Sequence, residues 1–446
     1  MKSLFCSDTR LCLGVAAIVL LAPVSATAAV VGTNVPAMPL TEERVAGSPE
    51  WRSYLENSRR HAAADLAFFE KELRDHGMKD AVSPPESRNA SCVDLGRPDD
   101  WYATPEALRI ASNLVSFQTP SGGWGKNTDY SRSPRNPGEL FGAGQHLAVK
   151  DSTPGDFDEH SRNRWSYVGT FDNDATTTEL RFLAKVIAAA NNPPASLTEG
   201  FRRGLNYIFE SQYPNGGWPQ VWPLEGGYHD AITINDDAMI HVVEFLRDVS
   251  LGEGSFAFVP EAERKKADAS WRKGLELLLK AQIRVSGERT VWAQQHDPMT
   301  LKPTAGRNYE MAAACSSESS EILIFLMSLP DPDRATIASV HAAAGWFGKT
   351  RITGKEFSNS GPEGRTLHDN PSGGPIWARY YEVGTDRPLF GDRDKTIHDN
   401  VNEISRERRK GYGWFGTRPA NALELYAAWA RRYPNPGSPH LDGPIP

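Results

Sequence analysis

Two stretches of the chain crowd oxygen-bearing side chains just where a helix is about to begin. Asp172-Asn173-Asp174 precedes the apolar positions Leu180, Leu183, Ile187 and Ala190. Asn235-Asp236-Asp237 precedes Met239, Val242, Val243 and Leu246. Asp and Asn are favoured helix caps, but one cap needs only one such residue. Three in a row, at two helix starts, leave carboxylate and amide oxygens to spare. With no His or Cys among them, that donor set suits a hard cation such as calcium. Neither stretch is an EF-hand, because the spaced acids and the closing Glu are missing.

Two further groups are basic. Gly306-Arg307-Asn308-Tyr309-Glu310 reads as the opening of a helix that contains Cys315. An Arg there faces the positive end of the helix dipole, an unfavourable place unless an anion binds nearby. The alternative is a surface Arg paired with Glu310. Lys126 follows a Gly-Gly-Trp turn, and Arg379 lies in Trp377-Ala378-Arg379-Tyr380-Tyr381, with Arg387 and Arg393 soon after. Arg pairs bidentately with carboxylates and aromatic rings stack on sugar faces. The alternative is solvated surface charge, expected for Arg406, Arg408, Arg409 and Lys410.

The elements that must position these residues are helical. Besides the two patterns above, Trp271, Leu275, Leu278 and Leu279 keep helical spacing, as do Ile322, Phe325 and Leu326. Residues 51–76 predict a long amphipathic helix. Thr104-Pro105-Glu106 supplies a cap, a first-turn Pro and an acid. Alternating β-branched runs are scarce, so the expected fold is all-α. A weak repeat refines it. Gln118 and Gln212 are each followed six residues later by the Trp of a Gly-Gly-Trp turn, Trp124 and Trp218. Gln282 and Trp292 form a degraded third copy. Helices closing repeatedly with one turn suggest an incomplete α/α toroid, a barrel of helix pairs with long irregular loops. Residues 130–166, rich in Pro, Gly, Asp and Arg, read as a long loop of the kind that carries function.

Residues 1–28 have the charged start, apolar run and small-residue Ala26-Thr27-Ala28 site of a secretory leader, too short to span a membrane. The expected product is exported, extracellular or periplasmic, and free of the membrane. Losing Lys2, Asp8 and Arg10 takes the net charge from −7 to −8. Bulk attraction to nucleic acid is excluded, and an anionic substrate would need a local basic cleft or a bridging cation. Only Cys92 and Cys315 survive cleavage, too few for a disulfide scaffold, though they are free to pair. Twelve Trp and thirteen Tyr suit a sugar-binding surface or, more plainly, a large aromatic core. The expected organisation is a leader (1–28), an N-terminal tail and helical segment (29–100), a catalytic domain (101–434) and an extended C-terminal tail (435–446).

From about Trp101 onward these motifs, in this order, resemble polysaccharide lyase family 10, the pectate lyases with an incomplete α/α barrel. The resemblance runs through residues 118–127, 170–183, 212–239, 306–310 and 375–416. It implies cleavage of α-1,4-polygalacturonate by calcium-assisted anti β-elimination, giving 4,5-unsaturated products, with the enzyme expected to be a monomer. It places calcium on Asp172, Asn173 and Asp236 and the catalytic base at Arg307. It places substrate on Lys126, Arg379, Arg393 and Asp237. Arg is protonated at ordinary pH, and a dry site beside other cations would lower its pKa toward what a base needs. Two other readings remain open: an inverting glycoside hydrolase using Asp172 with Asp236 or Asp237, and a toroid that binds sugar without turnover.

Overall fold

In the computed structural model the described residues are 29–85, 93–143, 155–157, 168–359 and 361–435. The expected leader, Cys92 and its possible pairing, most of the 130–166 loop and nearly all of the C-terminal tail lie outside them. The long helices are α1 (Pro49–Asp75), α2 (Pro105–Ser116), α3 (Thr177–Ala189), α4 (Ala195–Ser211) and α5 (Ala238–Leu251). They continue with α6 (Glu261–Ala281), α7 (Ser316–Ser328), α8 (Arg334–Thr350) and α9 (Arg418–Arg432). The start of α2 is as predicted: the Thr104 hydroxyl accepts from the Ala107 N–H at 3.3 Å and Pro105 follows.

The helices pack in a succession. α3 touches α5, α5 touches α7 and α7 touches α9, while α2, α4, α6 and α8 flank them. The sequence repeat is the joint of this succession. The amides of Gln118, Gln212 and Gln282 each donate to a carbonyl of their own turn: Gly122 at 2.7 Å, Gly216 at 3.0 Å and Thr290 at 2.9 Å. Each also donates to the next flanking helix, at Gly200 (2.9 Å), Ser270 (3.0 Å) and Ser339 (3.1 Å). Trp124, Trp218 and Trp292 donate back to the helix before, at Leu114 (2.9 Å), Ile208 (2.9 Å) and Leu278 (2.7 Å). The degraded third copy keeps every contact. The Gly of each intact turn is required. Gly122 and Gly216 have φ of +106° and +104°, and a Cβ would fall 2.5 and 2.4 Å from the carbonyl oxygens of Arg203 and Lys273.

Four expectations are corrected. The protein is mostly helical but not all-α. A five-stranded antiparallel sheet joins β1 (Val30–Thr33), β2 (Ala314–Cys315), β3 (Tyr380–Tyr381), β4 (Pro388–Gly391) and β5 (Thr396–His398) in the order β1-β5-β4-β3-β2. β1 shows that the start of the expected N-terminal tail is a paired edge strand. Cys315 sits in β2 rather than inside a helix. Arg408 and Arg409 are buried, not solvated: Arg408 covers the Tyr309 ring at 4.4 Å, and Arg409 donates to the carbonyls of Asn402, Ile404 and Glu363. Of the two readings of the Trp content, the aromatic core is the one observed for Trp124, Trp218, Trp222, Trp292, Trp377 and Trp414, which are fully buried. Among the described residues no helix is long and apolar enough to cross a membrane.

Candidate active site

The two acidic motifs form single turns, Asp172–Asp174 before α3 and Asn235–Asp237 before α5, and the turns pack against each other. Both turn left-handed, with φ of 52° at Asn173, 62° at Asp174, 51° at Asp236 and 61° at Asp237. Asn and Asp tolerate that conformation better than other non-glycine residues, at some cost in backbone energy. No side chain of either turn caps its helix. The capping role that would explain these residues without function is therefore not the one they play.

Asp172 is buried and ion-paired with Lys126, the residue that the Gly-Gly-Trp turn delivers. Burial pushes its pKa up, but Lys126 and then Arg307 outweigh burial and hold it below the ordinary Asp value. Asp236 goes the other way. Burial and the neighbouring charge of Asp172 raise its pKa to about 6, against the pull of Arg379 and Arg307. One carboxylate is thus compensated and the other is short of positive charge. Asp237 is also raised to about 6, by burial, although Arg418 holds its Oδ2 at 2.5 Å. Its Oδ1 is buried without a partner. Asn173 reaches Asn127 at 3.4 Å. Among the described residues no three His, Cys, Asp or Glu side chains are grouped to hold a metal. Asp236, short of compensation, with the Asp172 carboxylate against it and the Asn173 amide in the adjoining turn, still fits a hard cation whose remaining ligands come from substrate or water.

Arg307 does not open a helix. It lies in a tight turn closed by Gly306 N–H to Glu310 O (3.0 Å) and Glu310 N–H to Arg307 O (2.8 Å), and α7 starts only at Ser316. Its guanidinium grips the Glu310 carboxylate through Nε (3.0 Å) and Nη2 (2.5 Å). The expected lowering of its pKa is corrected. Burial does act downward, but Glu310 more than reverses it and holds Arg307 above its ordinary value. Burial would raise Glu310, yet Arg307 brings it down to about 2. Tyr412 donates to Glu310 at 2.8 Å and meets the Tyr380 hydroxyl at 2.6 Å, while Gln294 bridges Tyr380 to Asn235. This buried network ties the Arg307 turn to the second acidic turn.

Arg379 is ion-paired with the buried Glu318, 3.8 Å from Asp236 and 4.9 Å above the Tyr412 ring. Its Nε donor remains unpartnered. Arg393 is more exposed, held by Glu407 at 3.1 Å and 5.7 Å over Tyr309. The charges of Asp172, Asp236, Arg307 and Arg379 therefore act on one another, Lys126 pairs with Asp172, Asp237 follows Asp236 in its turn, and Arg393 is more exposed than these. Glu310, quoted in the motif, was legible as a partner. Glu318, Gln294, Tyr412 and Arg418 were not, since each reaches the site from a distant part of the chain.

The profile of the pectic acid lyase family matches residues 118–423. The chain belongs to that family. Among solved structures it is similar to a Family 10 polysaccharide lyase from Cellvibrio cellulosa, at 28% identity and a TM-score of 0.61, covering 77% of this chain and 99% of that one. An aspartate-to-alanine mutant of that lyase, solved in complex with trigalacturonic acid, aligns with the same identity and TM-score over 75% of this chain and 96% of that one. A search of curated proteins gave no match. The protein is thus a polysaccharide lyase of family 10, a pectate lyase, and the hydrolase and binding-only readings are set aside. The matched stretch of this lyase contains every candidate residue from Lys126 to Arg393, whereas the first strand and α1 precede it.

Proposed function

We propose that this lyase cleaves α-1,4-polygalacturonate by calcium-assisted anti β-elimination. The observation that carries the reading is the pair of left-handed acidic turns, whose Asp172 and Asp236 are set against each other beside Arg307 and Arg379. Asp172, Asn173 and Asp236 would hold calcium, which when bound withdraws charge from a galacturonate carboxylate and so acidifies the adjacent C5–H. Arg379 and Arg393 hold substrate carboxylates, and Lys126 and Asp237 complete the binding surface. Arg307 takes the C5 proton. The electron pair of that C–H bond forms the C4–C5 double bond, the C4–O4 bond of the same galacturonate breaks, and O4 leaves on C1 of the neighbouring sugar, taking a proton from water. Arg307 can do this only as a neutral guanidine, so the reading requires a rate that climbs into the alkaline range.

The Glu310 pair favours a second reading, in which Arg307 stays a cation and holds a substrate carboxylate. Measuring kcat and KM separately for Arg307→Lys decides between them. A base predicts a collapse of kcat with little change in KM; a binding cation predicts a raised KM and partial rescue by Lys.

The remaining assignments belong to the same proposal. The helix succession supplies the layers of an incomplete α/α toroid, in which successive helix starts gather on one rim and bring the two acidic turns together. Residues 101–434 form the catalytic domain of a monomer, released outside the cytoplasm after cleavage near Ala28.

A further inference from the structure

Asn34 follows β1 and lies outside the family match, yet its side chain enters the Arg307 turn. Its Nδ2 lies 3.3 Å from the carbonyl oxygen of Arg307, 3.0 Å from that of Asn308 and 3.1 Å from that of Glu310. Its Oδ1 accepts the Val35 N–H at 3.1 Å, which fixes the orientation of the amide. The residue is buried, with 6% of its surface exposed. The segment that delivers it is held on both sides. β1 pairs with β5, and the Asn34 N–H donates to Lys395 O at 2.8 Å. Farther on, the Leu40 N–H reaches Asp230 at 3.1 Å and Arg44 reaches Asp297 at 2.6 Å. One amide thus spans both ends of the turn whose side chains, Arg307 and Glu310, grip each other.

We propose that Asn34 is a positioning residue for the reaction: it sets the Arg307–Glu310 turn through its backbone, without touching substrate. This rests on Arg307 acting in the chemistry. Asn34→Asp keeps the shape and replaces the donor by an acceptor facing three carbonyls; Asn34→Ala removes the group altogether. The test measures kcat, KM and melting temperature on polygalacturonate for both variants, with Arg307→Lys and Thr33→Ala alongside. The expected result is a kcat loss on the order of 10²-fold, the penalty of a reacting group displaced by about 1 Å. KM and the calcium response should stay near wild type, and Thr33→Ala should be unaffected. If Asn34→Asp does not fold, Asn34→Ala carries the comparison. Wild-type kcat in a folded Asn34 variant overturns the inference, as does a loss that only tracks the folded fraction. An inactive Arg307→Lys beside a normal Asn34→Asp sinks this inference alone. A fully active Arg307→Lys removes Arg307 from the chemistry and takes the inference with it.

Discussion

Asp172→Asn isolates the charge of one proposed ligand while keeping its shape. The Asp172 side chain is 6% exposed and that of its partner Lys126 is 17% exposed, so the ion pair is shielded from water. Stripping one partner from a buried pair costs about 3–5 kcal/mol. Asn keeps an oxygen for the ammonium, which points to the lower end, about 3 kcal/mol. In a chain this long each kcal/mol moves the melting temperature by no more than about 4 °C, so the fall should be about 12 °C or less. The variant therefore stays folded at 25 °C. Its turnover, followed by ultraviolet absorbance of the unsaturated product, should drop on the order of 10²–10³-fold, as when a group stabilising transition-state charge is removed. Added calcium should not restore it. A folded variant with wild-type kcat and calcium response refutes the role of Asp172 as ligand. Activity lost only in step with unfolding assigns the residue to stability alone.

The other expectations follow from the same contacts. Arg393→Ala should raise KM more than it lowers kcat, with stability changed by no more than about 1 kcal/mol because its pair with Glu407 is exposed. Arg379→Ala should destabilise by about 3–5 kcal/mol, since it strands the buried Glu318, so Arg379→Lys is the variant in which KM is read; unchanged KM in both would move the anion cleft elsewhere. For Arg307, wild-type activity should increase toward alkaline pH while Arg307→Lys and Arg307→Ala lose kcat by several orders of magnitude; a Lys variant with near-normal kcat requires another base. Asp65, buried at the end of the Ser121 N–H, is raised from 3.8 to about 6 by that burial. A raised carboxyl favours the folded state below its unfolded pKa and opposes it above the folded one, so the penalty grows between pH 4 and 6 to about 3 kcal/mol. Asp65→Asn should accordingly melt higher than wild type at pH 8 and lose the advantage near pH 4; a pH-independent difference contradicts the assignment.

What was legible in the sequence was local. The acidic turns announced themselves because three oxygen-bearing residues exceed what a cap needs, and the left-handed backbone shows why Asn and Asp stand there. The Gln–Trp repeat was readable because a joint made by two side chains recurs three times, even in its worn third copy. The five-stranded sheet was not readable, since strands of two to four residues are too short for alternation to show. The Arg307 turn was mistaken for a helix start because only long-range contacts forbid one: Asn34, 273 residues away, holds its backbone. Arg418 finds Asp237 across 181 residues, a pairing no spacing rule encodes. The basic run at 406–410 shows the same limit, because burial of Arg408 and Arg409 depends on an aromatic ring and carbonyls supplied elsewhere.

The most direct test follows ultraviolet absorbance while the purified protein is incubated with polygalacturonate, with calcium present and again after thorough chelation. The account predicts a steady rise from 4,5-unsaturated products, abolished by chelator and restored by calcium. Saturated reducing products without absorbance contradict β-elimination, and turnover unchanged after chelation contradicts the calcium site at Asp172 and Asp236.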